Sequence, residues 1–293
     1  MKIHVYFTFV LCAVLFSFTY NGNHKKHKTG WSDRQLNGKV KSCKMLQFHA
    51  ILASGTISKE SNSPYYESYC IFDSNGNEIE SGGHSYQDKT STKIINTYEP
   101  HGYCIKTIAY QFNGKDTAIQ ATINKFDDKG NKTESELSLL SGTDNVNTPV
   151  KAIYKYDSHG NLTQWRYVKG SDTIPPMDVY TYDNDGNLLE DDYYNATDNI
   201  QTRTMNSYDA EGNKSNTTEY WYINEPGLRK KAVCRYDEHG NIIEAIEYDV
   251  SGKLLAKGTF TVYYDKRGNC VRQIEYLNDK PVSILECEIV YYP

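Results

Sequence analysis

The sequence predicts an all-β fold in which antiparallel β-hairpin repeats of about 26–30 residues form a long curved or coiled sheet. First, a phrase of aromatic residue, Asp, two variable residues, Gly and Asn recurs along the chain. Second, the intervals between its copies are all even. Third, runs rich in Tyr, Val, Ile and Thr flank the copies, which is the composition of β-strands. Fixed-period self-similarity of this kind is typical of repeat architectures.

The recurring phrase sets the period of the fold. The aromatic-to-aromatic intervals are 26, 28, 30, 26, 26, 28 and 28 residues. An even interval keeps equivalent side chains on one face, because successive strand residues point to opposite faces. The copies begin at Phe72, Tyr98 (a degenerate copy), Phe126, Tyr156, Tyr182, Tyr208, Tyr236 and Tyr264.

Each copy of the phrase predicts a tight turn between two strands. The Asp carboxylate is expected to accept backbone N–H groups two or three residues on. The Gly three positions later is expected to take the left-handed conformation that closes a bulged hairpin. A calcium loop would need glycine at its sixth position, and here it is the fourth, so we expect no metal or other cofactor. The turn-defining residues include Asp157, Gly160, Asp183, Gly186, Asp237 and Gly240.

The composition predicts that tyrosine fills much of the sheet's buried face. The chain has 26 Tyr against 9 Phe, and its mean hydropathy is -0.68. A wholly apolar core is therefore not expected. Tyrosine rings can pack on one face while their hydroxyls reach water or polar partners at the rim.

The N-terminal residues indicate export. Val5–Phe18 is an apolar run that suits a signal peptide, whereas a spanning helix needs about 20 residues. We divide the chain into a signal peptide (1–22), a flexible basic lead-in (23–35) and one repeat domain (36–293), with no transmembrane span in the mature chain. Its expected location is the periplasm, cell surface or extracellular space. Removing 1–22 takes away Lys2 and no acid, which changes the net charge from -5 to -6 and argues against a nucleic-acid partner.

Six cysteines follow the predicted signal peptide, in an exported chain where disulfides can persist. Two pairs occupy matching positions in adjacent repeats, which suggests bridges Cys70–Cys104 and Cys234–Cys270. Cys43 and Cys287 would then pair or remain free thiols. The alternative is that the four are small buried core residues, because a plain meander puts two strands between the members of each pair.

Three aromatic residues on strands that follow the turns are candidate contacts for a glycan or a protein partner. They are Trp165, Trp221 and Tyr222. Exposed rings could stack on sugars, and the alternative is that they fill the core. No Gly-x-Ser-x-Gly motif is present, and the histidines before the turn glycines belong to nonadjacent repeats, so the sequence predicts no enzyme.

The phrase Tyr-Asp-x-x-Gly-Asn-(Leu/Ile) resembles the YD repeat of the RHS family. It is clearest at Tyr156–Leu162, Tyr182–Leu188 and Tyr236–Ile242, and Gly38–Ser42 resembles the lead-in of short secreted YD-repeat proteins of Bacteroidetes-like bacteria. The resemblance covers about 36–293 and implies a curled β shell. Asn stands where longer RHS proteins often carry Arg. The strand-like end at Glu286–Pro293 leaves no room for the cargo domain of large RHS proteins, so a toxin role is not implied.

These observations predict an exported, non-enzymatic scaffold that binds an unknown envelope protein. The alternative is a carbohydrate-binding surface protein that uses exposed Tyr and Trp. Rings buried in one face favour the scaffold, and an exposed aromatic strip favours the glycan. An enzyme would instead show a cleft with converging titratable groups.

Overall fold

The computed structural model describes residues 29–141, 150–169, 172–173, 177–195, 199–210, 212, 214–223 and 227–293. The predicted signal peptide lies outside these residues. The described chain holds one short helix, α1 (Gly30–Asp33), and antiparallel strands. The strands are β1 (Val40–Ala53), β2 (Thr56–Lys59), β3 (Tyr66–Phe72), β4 (Glu78–Ser85), β5 (Thr90–Tyr98), β6 (Cys104–Phe112), β7 (Thr117–Phe126), β8 (Lys132–Ser141), β9 (Val150–Tyr156), β10 (Leu162–Lys169), β11 (Asp172–Thr173), β12 (Asp178–Tyr182), β13 (Leu188–Tyr194), β14 (Ile200–Tyr208), β15 (Lys214–Ile223), β16 (Gly227–Tyr236), β17 (Ile242–Asp249), β18 (Leu254–Tyr264), β19 (Cys270–Leu277) and β20 (Lys280–Tyr291).

The sheet closes on itself into a barrel of 18 strands, which are the strands above without the short β2 and β11. Strands β3 to β20 pair with their neighbours in chain order, except that the short β11 pairs with the end of β10 while β12 pairs with β10 directly. Strand β1 pairs with β3 on one side and with β20 on the other, and β2 extends β1 as a hairpin. The prediction of antiparallel hairpin repeats is confirmed. The long sheet is curved as predicted, but it is a closed barrel and not a coil, because β1 joins its two ends.

The junction of β3, β1 and β20 is called the seam below. Its register runs from Val40 opposite Tyr291 to His49 opposite Ser283 on the β20 side. The chain end also reaches across β1, because Tyr292 donates its hydroxyl to the carbonyl of Phe72 at 2.7 Å. The first and last strands are thus held together by backbone pairing and by side-chain hydrogen bonds.

The repeat turns share one hydrogen-bond pattern. In the first turn, Asp73 Oδ1 accepts the N–H groups of Asn75 and Asn77 at 2.8 and 2.9 Å, and its Oδ2 accepts the Asn77 side-chain amide at 2.9 Å. The donors therefore lie two and four residues on, and the Asn that ends the phrase closes the turn. Asp157, Asp183 and Asp237 accept backbone donors at the same spacing, and Gly160, Gly186 and Gly240 have φ of 85°, 87° and 80°.

The tyrosine that opens a phrase bonds to the preceding hairpin. In four copies its hydroxyl donates to the carbonyl of the residue that follows the previous turn. Tyr98 bonds to Glu78 at 2.8 Å, and Tyr182 bonds to Leu162 at 2.7 Å. Tyr156 and Tyr208 make the same contact with Lys132 and Leu188. This ladder needs a hydroxyl on a half-buried ring, which gives a physical reason for the excess of Tyr over Phe.

The two faces of the wall differ in chemistry. The outer face carries cross-strand ion pairs, such as Lys125 with Glu134 at 2.7 Å and Lys93 with Glu80 at 3.0 Å. Exposed pairs of this kind contribute little individually, but they keep the face hydrated. The inner face holds the buried cluster Val40, Cys43, Cys70 and Phe72 beside the seam. No helix in the described part of the chain is long and apolar enough to cross a membrane.

Candidate functional site

One end of the barrel is covered by residues 29–38, called the plug below. The indole N–H of Trp31 donates to the carbonyl of Val40 at 2.6 Å, and its ring packs against Phe72 with centroids 6.4 Å apart. A Cβ added to Gly76 would lie 2.5 Å from the Trp31 ring. The guanidinium of Arg34 donates to both carboxylate oxygens of Glu78 at 2.8 and 3.1 Å. The plug is therefore anchored on the first repeat turn and the strand that follows it.

The other end of the plug is anchored on the last repeat turn. Asn269 Oδ1 accepts the N–H of Asn37 at 2.6 Å, and its amide donates to the Asn37 carbonyl at 2.9 Å. The same amide donates to the Tyr291 hydroxyl at 2.7 Å. Residues 29–35 of the predicted lead-in are thus packed in the structure, and 23–28 lie outside the described residues.

A cavity of about 510 Å³ lies inside the barrel with the plug as part of its lining. Its walls come from β1, β3, β4 and β5 and from β15 to β20. The lining combines flat aromatic rings with carboxyl and amide groups, a mixture that suits a small polar ligand with an apolar face. These side chains are Tyr66, Trp221, Tyr236, Phe260, Glu219, Glu247, Gln47 and Gln273.

Trp221 lies beside the charged groups of this lining. The Lys230 ammonium lies 4.3 Å from the centroid of the Trp221 ring and 2.7 Å from Glu247. Glu247 therefore has a cationic partner. Burial raises the pKa of Glu219 to about 7, an effect that Lys230 opposes and Glu247 reinforces. At neutral pH the Glu219 carboxyl can thus donate or accept a hydrogen bond.

A second group of acids lies on the inner face near Trp165. Burial raises the pKa of Asp178 to about 6, and the Trp165 side chain donates a hydrogen bond to it. Burial, reinforced by Asp178, raises the pKa of Asp191 to about 7. Asp191 Oδ1 is buried with no hydrogen-bond partner in the described part of the chain. The Trp165 ring packs edge-on against Tyr167 at 5.0 Å.

The structure separates the three predicted aromatic contacts. Trp221 lines the cavity, and Trp165 shares the inner face but lies outside the cavity lining. Tyr222 follows Trp221 directly in β15 and so points to the outer face. The three residues therefore form no single exposed strip. Sequence reasoning missed the inner acids Asp191 and Glu219, although the strict alternation of strand residues places Glu219 on the same face as Trp221.

The cysteines of the described chain are all free thiols. Two strands separate each predicted pair: β4 and β5 lie between Cys70 and Cys104, and β17 and β18 lie between Cys234 and Cys270. Cys70 instead lies opposite Cys43 across the seam. Cys104 contacts Asn96 and Thr107. No group of three or more His, Cys, Asp or Glu side chains among the described residues is arranged to hold a metal ion.

The inner acids predict that stability falls as the pH rises from about 4 to about 7. Asp178, Asp191 and Glu219 have raised pKa values, so the folded chain binds more protons than the unfolded chain in this window. The free energy of unfolding then decreases with pH, by up to about 1.4 kcal/mol per pH unit for each group. Urea unfolding at about pH 5 and about pH 8 tests this.

The variant Asp191→Asn is the control for this pH dependence. Its amide cannot ionise, so the decrease between about pH 5 and about pH 8 should become smaller. Burial opposes ionisation of the Asp157 carboxylate, but hydrogen bonds from Asn161 and His159 outweigh it and lower the pKa of this group. Asp157 therefore changes the stability only at a pH below this window. An unchanged pH dependence in Asp191→Asn would contradict the assignment.

No family model matches the chain, and no curated protein matches it. Among solved structures, the chain is similar to a porin-like protein from Bacteroides uniformis at 8% identity and a TM-score of 0.43, over 87% of this chain and 98% of that chain. It is similar to a TcdB2–TccC3–TEV structure at 11% identity and a TM-score of 0.30, over 82% of this chain and 15% of that one. It is also similar to a porin-like protein from Bacteroides vulgatus at 13% identity and a TM-score of 0.24, over 87% of this chain and 99% of that chain. These values are too low to assign a family or an activity, and the likeness to YD repeats stays a resemblance.

Proposed function

We propose that the protein is a non-enzymatic binding protein of the cell envelope that holds a carbohydrate inside its barrel. The observation that carries this proposal is the cavity of about 510 Å³ lined by Trp221 and Tyr66 together with carboxyl and amide groups. This volume falls within the range of about 300–1,000 Å³ that is usual for small-ligand sites. The envelope location rests on the export signal predicted at Val5–Phe18.

The lining suits a sugar for two reasons. The C–H face of a pyranose is apolar and packs on a flat aromatic ring such as that of Trp221. Its hydroxyls both donate and accept, and the amides of Gln47 and Gln273 offer both functions. These two amides are nearly fully buried, with 7% and 8% exposure, so a hydroxyl bound there would be shielded from competing water.

The binding test compares two neighbouring aromatic residues on opposite faces of β15. We expect Trp221→Ala to weaken binding of the best ligand from a panel of neutral mono- and disaccharides by tenfold or more, since one stacked ring contributes at least about 1.4 kcal/mol. Tyr222→Ala, on the outer face, should leave the affinity unchanged. Titration calorimetry measures both. Failure of every sugar to bind, or equal losses in the two variants, would contradict the proposal.

One observation favours a second candidate, hydrolysis of a glycoside. Glu219, with its raised pKa, shares the cavity with Glu247, which forms an ion pair with Lys230 at 2.7 Å. A protonated acid beside an ionised one is the pairing that glycosidases use. Incubation of the bound sugar followed by chromatography separates the candidates. Product that disappears in Glu219→Gln would favour the hydrolase, and an intact sugar would favour the binding protein.

A protein partner from the envelope remains a prediction. The outer face, with its paired charges, would be the surface available to such a partner. Crosslinking of the tagged chain in cells, followed by mass spectrometry, tests this role. One dominant partner at constant stoichiometry would support a scaffold, whereas recovery on polysaccharide alone would support the sugar-binding role.

A further inference from the structure

Four cysteines meet on the inner face around the seam. They belong to the adjacent strands β3, β1, β20 and β19, in the order Cys70, Cys43, Cys287 and Cys270. Cys43 and Cys70 are buried in one core cluster, and Cys287 packs against that cluster. The Cys43 thiol contacts those of Cys70 and Cys287, and the Cys287 thiol also contacts that of Cys270. The result is a continuous row of four thiols, which also line the cavity but are not among the sugar contacts proposed above.

The backbone geometry of the seam suits a disulfide. Cys43 lies directly opposite Cys70 in the antiparallel register. Opposed residues in such a pair have Cα atoms about 4.5–5.5 Å apart. This separation falls within the Cα–Cα range of about 4.4–6.8 Å that a disulfide spans. Cys270 and Cys287 lie in neighbouring strands with their thiols in contact. Cys43 and Cys70 can therefore close without moving a strand, and for Cys270 and Cys287 the contact between the thiols supports the same pairing.

We propose that these thiols form two disulfides, Cys43–Cys70 and Cys270–Cys287, that cross-link β1 to β3 and β19 to β20. This pairing uses all four thiols. The other neighbouring pair, Cys43–Cys287, would leave Cys70 and Cys270 with β1 and β20 between them and no reachable partner. The proposal does not depend on what the cavity binds.

The chemistry needs a two-electron oxidant, and a small disulfide such as oxidised glutathione supplies it. Cys43 is the first nucleophile, because hydrogen bonds from Cys287 and Cys70 and the positive charge of Arg34 lower its pKa. Its thiolate attacks the small disulfide, forms a mixed disulfide and releases one thiol. The Cys70 sulfur then loses its proton, attacks the Cys43 sulfur and displaces the second thiol. Cys270 and Cys287 close in the same way.

Peptide mapping under non-reducing conditions tests the pairing. The purified chain without the predicted signal peptide (1–22) is treated with oxidised glutathione, its remaining thiols are blocked with N-ethylmaleimide, and it is digested with trypsin. The four cysteines fall in different tryptic peptides, since Lys and Arg residues separate them. We expect linked peptides for Cys43–Cys70 and Cys270–Cys287, with Cys104 and Cys234 blocked. A dominant Cys43–Cys287 link, a link to Cys104 or Cys234, or six blocked thiols would overturn the proposal.

Thermal unfolding gives a second, independent readout. The oxidised chain should melt at least several degrees above the same chain in dithiothreitol, since cross-links restrict the unfolded state. The control Cys104→Ser should keep this difference, because its thiol lies outside the row. The double variant Cys43→Ser, Cys287→Ser should lose most of it, because β1 and β20 lie between the remaining Cys70 and Cys270. An equal difference in the double variant would contradict the assignment.

Discussion

Gly76→Ala is expected to lower the free energy of unfolding by about 3 kcal/mol more than Gly160→Ala, although the two glycines occupy the same position in their turns. Both have left-handed backbone, with φ of 88° and 85°, so each alanine carries a similar conformational cost of about 1–2 kcal/mol. They differ in surroundings. The new methyl at 76 would meet the Trp31 ring at 2.5 Å, whereas at 160 the nearest atom lies 3.8 Å away.

The additional loss of stability in Gly76→Ala comes from displacing the Trp31 ring from its packing against this turn. Removing a large aromatic side chain from its packing costs about 3–5 kcal/mol. Urea unfolding of both variants measures the difference. Trp31→Ala provides a further check, because in that background Gly76→Ala should cost no more than Gly160→Ala does. If the two glycine variants lose equal stability in the wild-type background, Trp31 of the plug does not pack against this turn.

The sequence is sufficient to predict the repeat turns, because each is a local structure. Asp157, Gly160 and the following Asn all lie within five residues, so their spacing alone encodes the hydrogen bonds that the structure contains. Closure of the barrel could not be predicted in this way. Strand β1 carries no copy of the phrase, and its pairing with β20 joins residues more than two hundred positions apart.

The candidate site was predictable only in part for the same reason. Alternation along β15 requires Trp221 and Tyr222 to face opposite ways, but only closure decides which of them faces inward. The matching positions of Cys70 and Cys234 in their repeats also suggested matching partners. Their environments differ because Cys70 borders β1, a strand from outside the repeats, whereas Cys234 borders only repeat strands.

The last repeat turn differs from the others in that its asparagine binds the plug. In an ordinary turn, the amide of Asn131 donates to Asp127 of the same turn at 3.0 Å. In the last turn, Asn269 is 1% exposed and bonds to Asn37 of the plug and to Tyr291 of β20. The Tyr291 hydroxyl also donates to Asp265 of that turn. One buried amide therefore joins the plug, the last repeat and the final strand.

Asn269→Ala is accordingly expected to destabilise the protein by about 3–4 kcal/mol, and Asn131→Ala by about 1 kcal/mol. The first variant removes the hydrogen bonds that this buried side chain makes to the N–H and carbonyl of Asn37 and to the Tyr291 hydroxyl, and each such bond contributes about 0.5–1.5 kcal/mol. The second loses one hydrogen bond at a more accessible position. Urea unfolding compares them, and amide exchange at Asn37 should accelerate only in Asn269→Ala. Equal losses of stability, or continued protection of the Asn37 amide from exchange, would mean that Asn269 does not hold the plug. The plug would then depend on the contacts of Trp31 and Arg34.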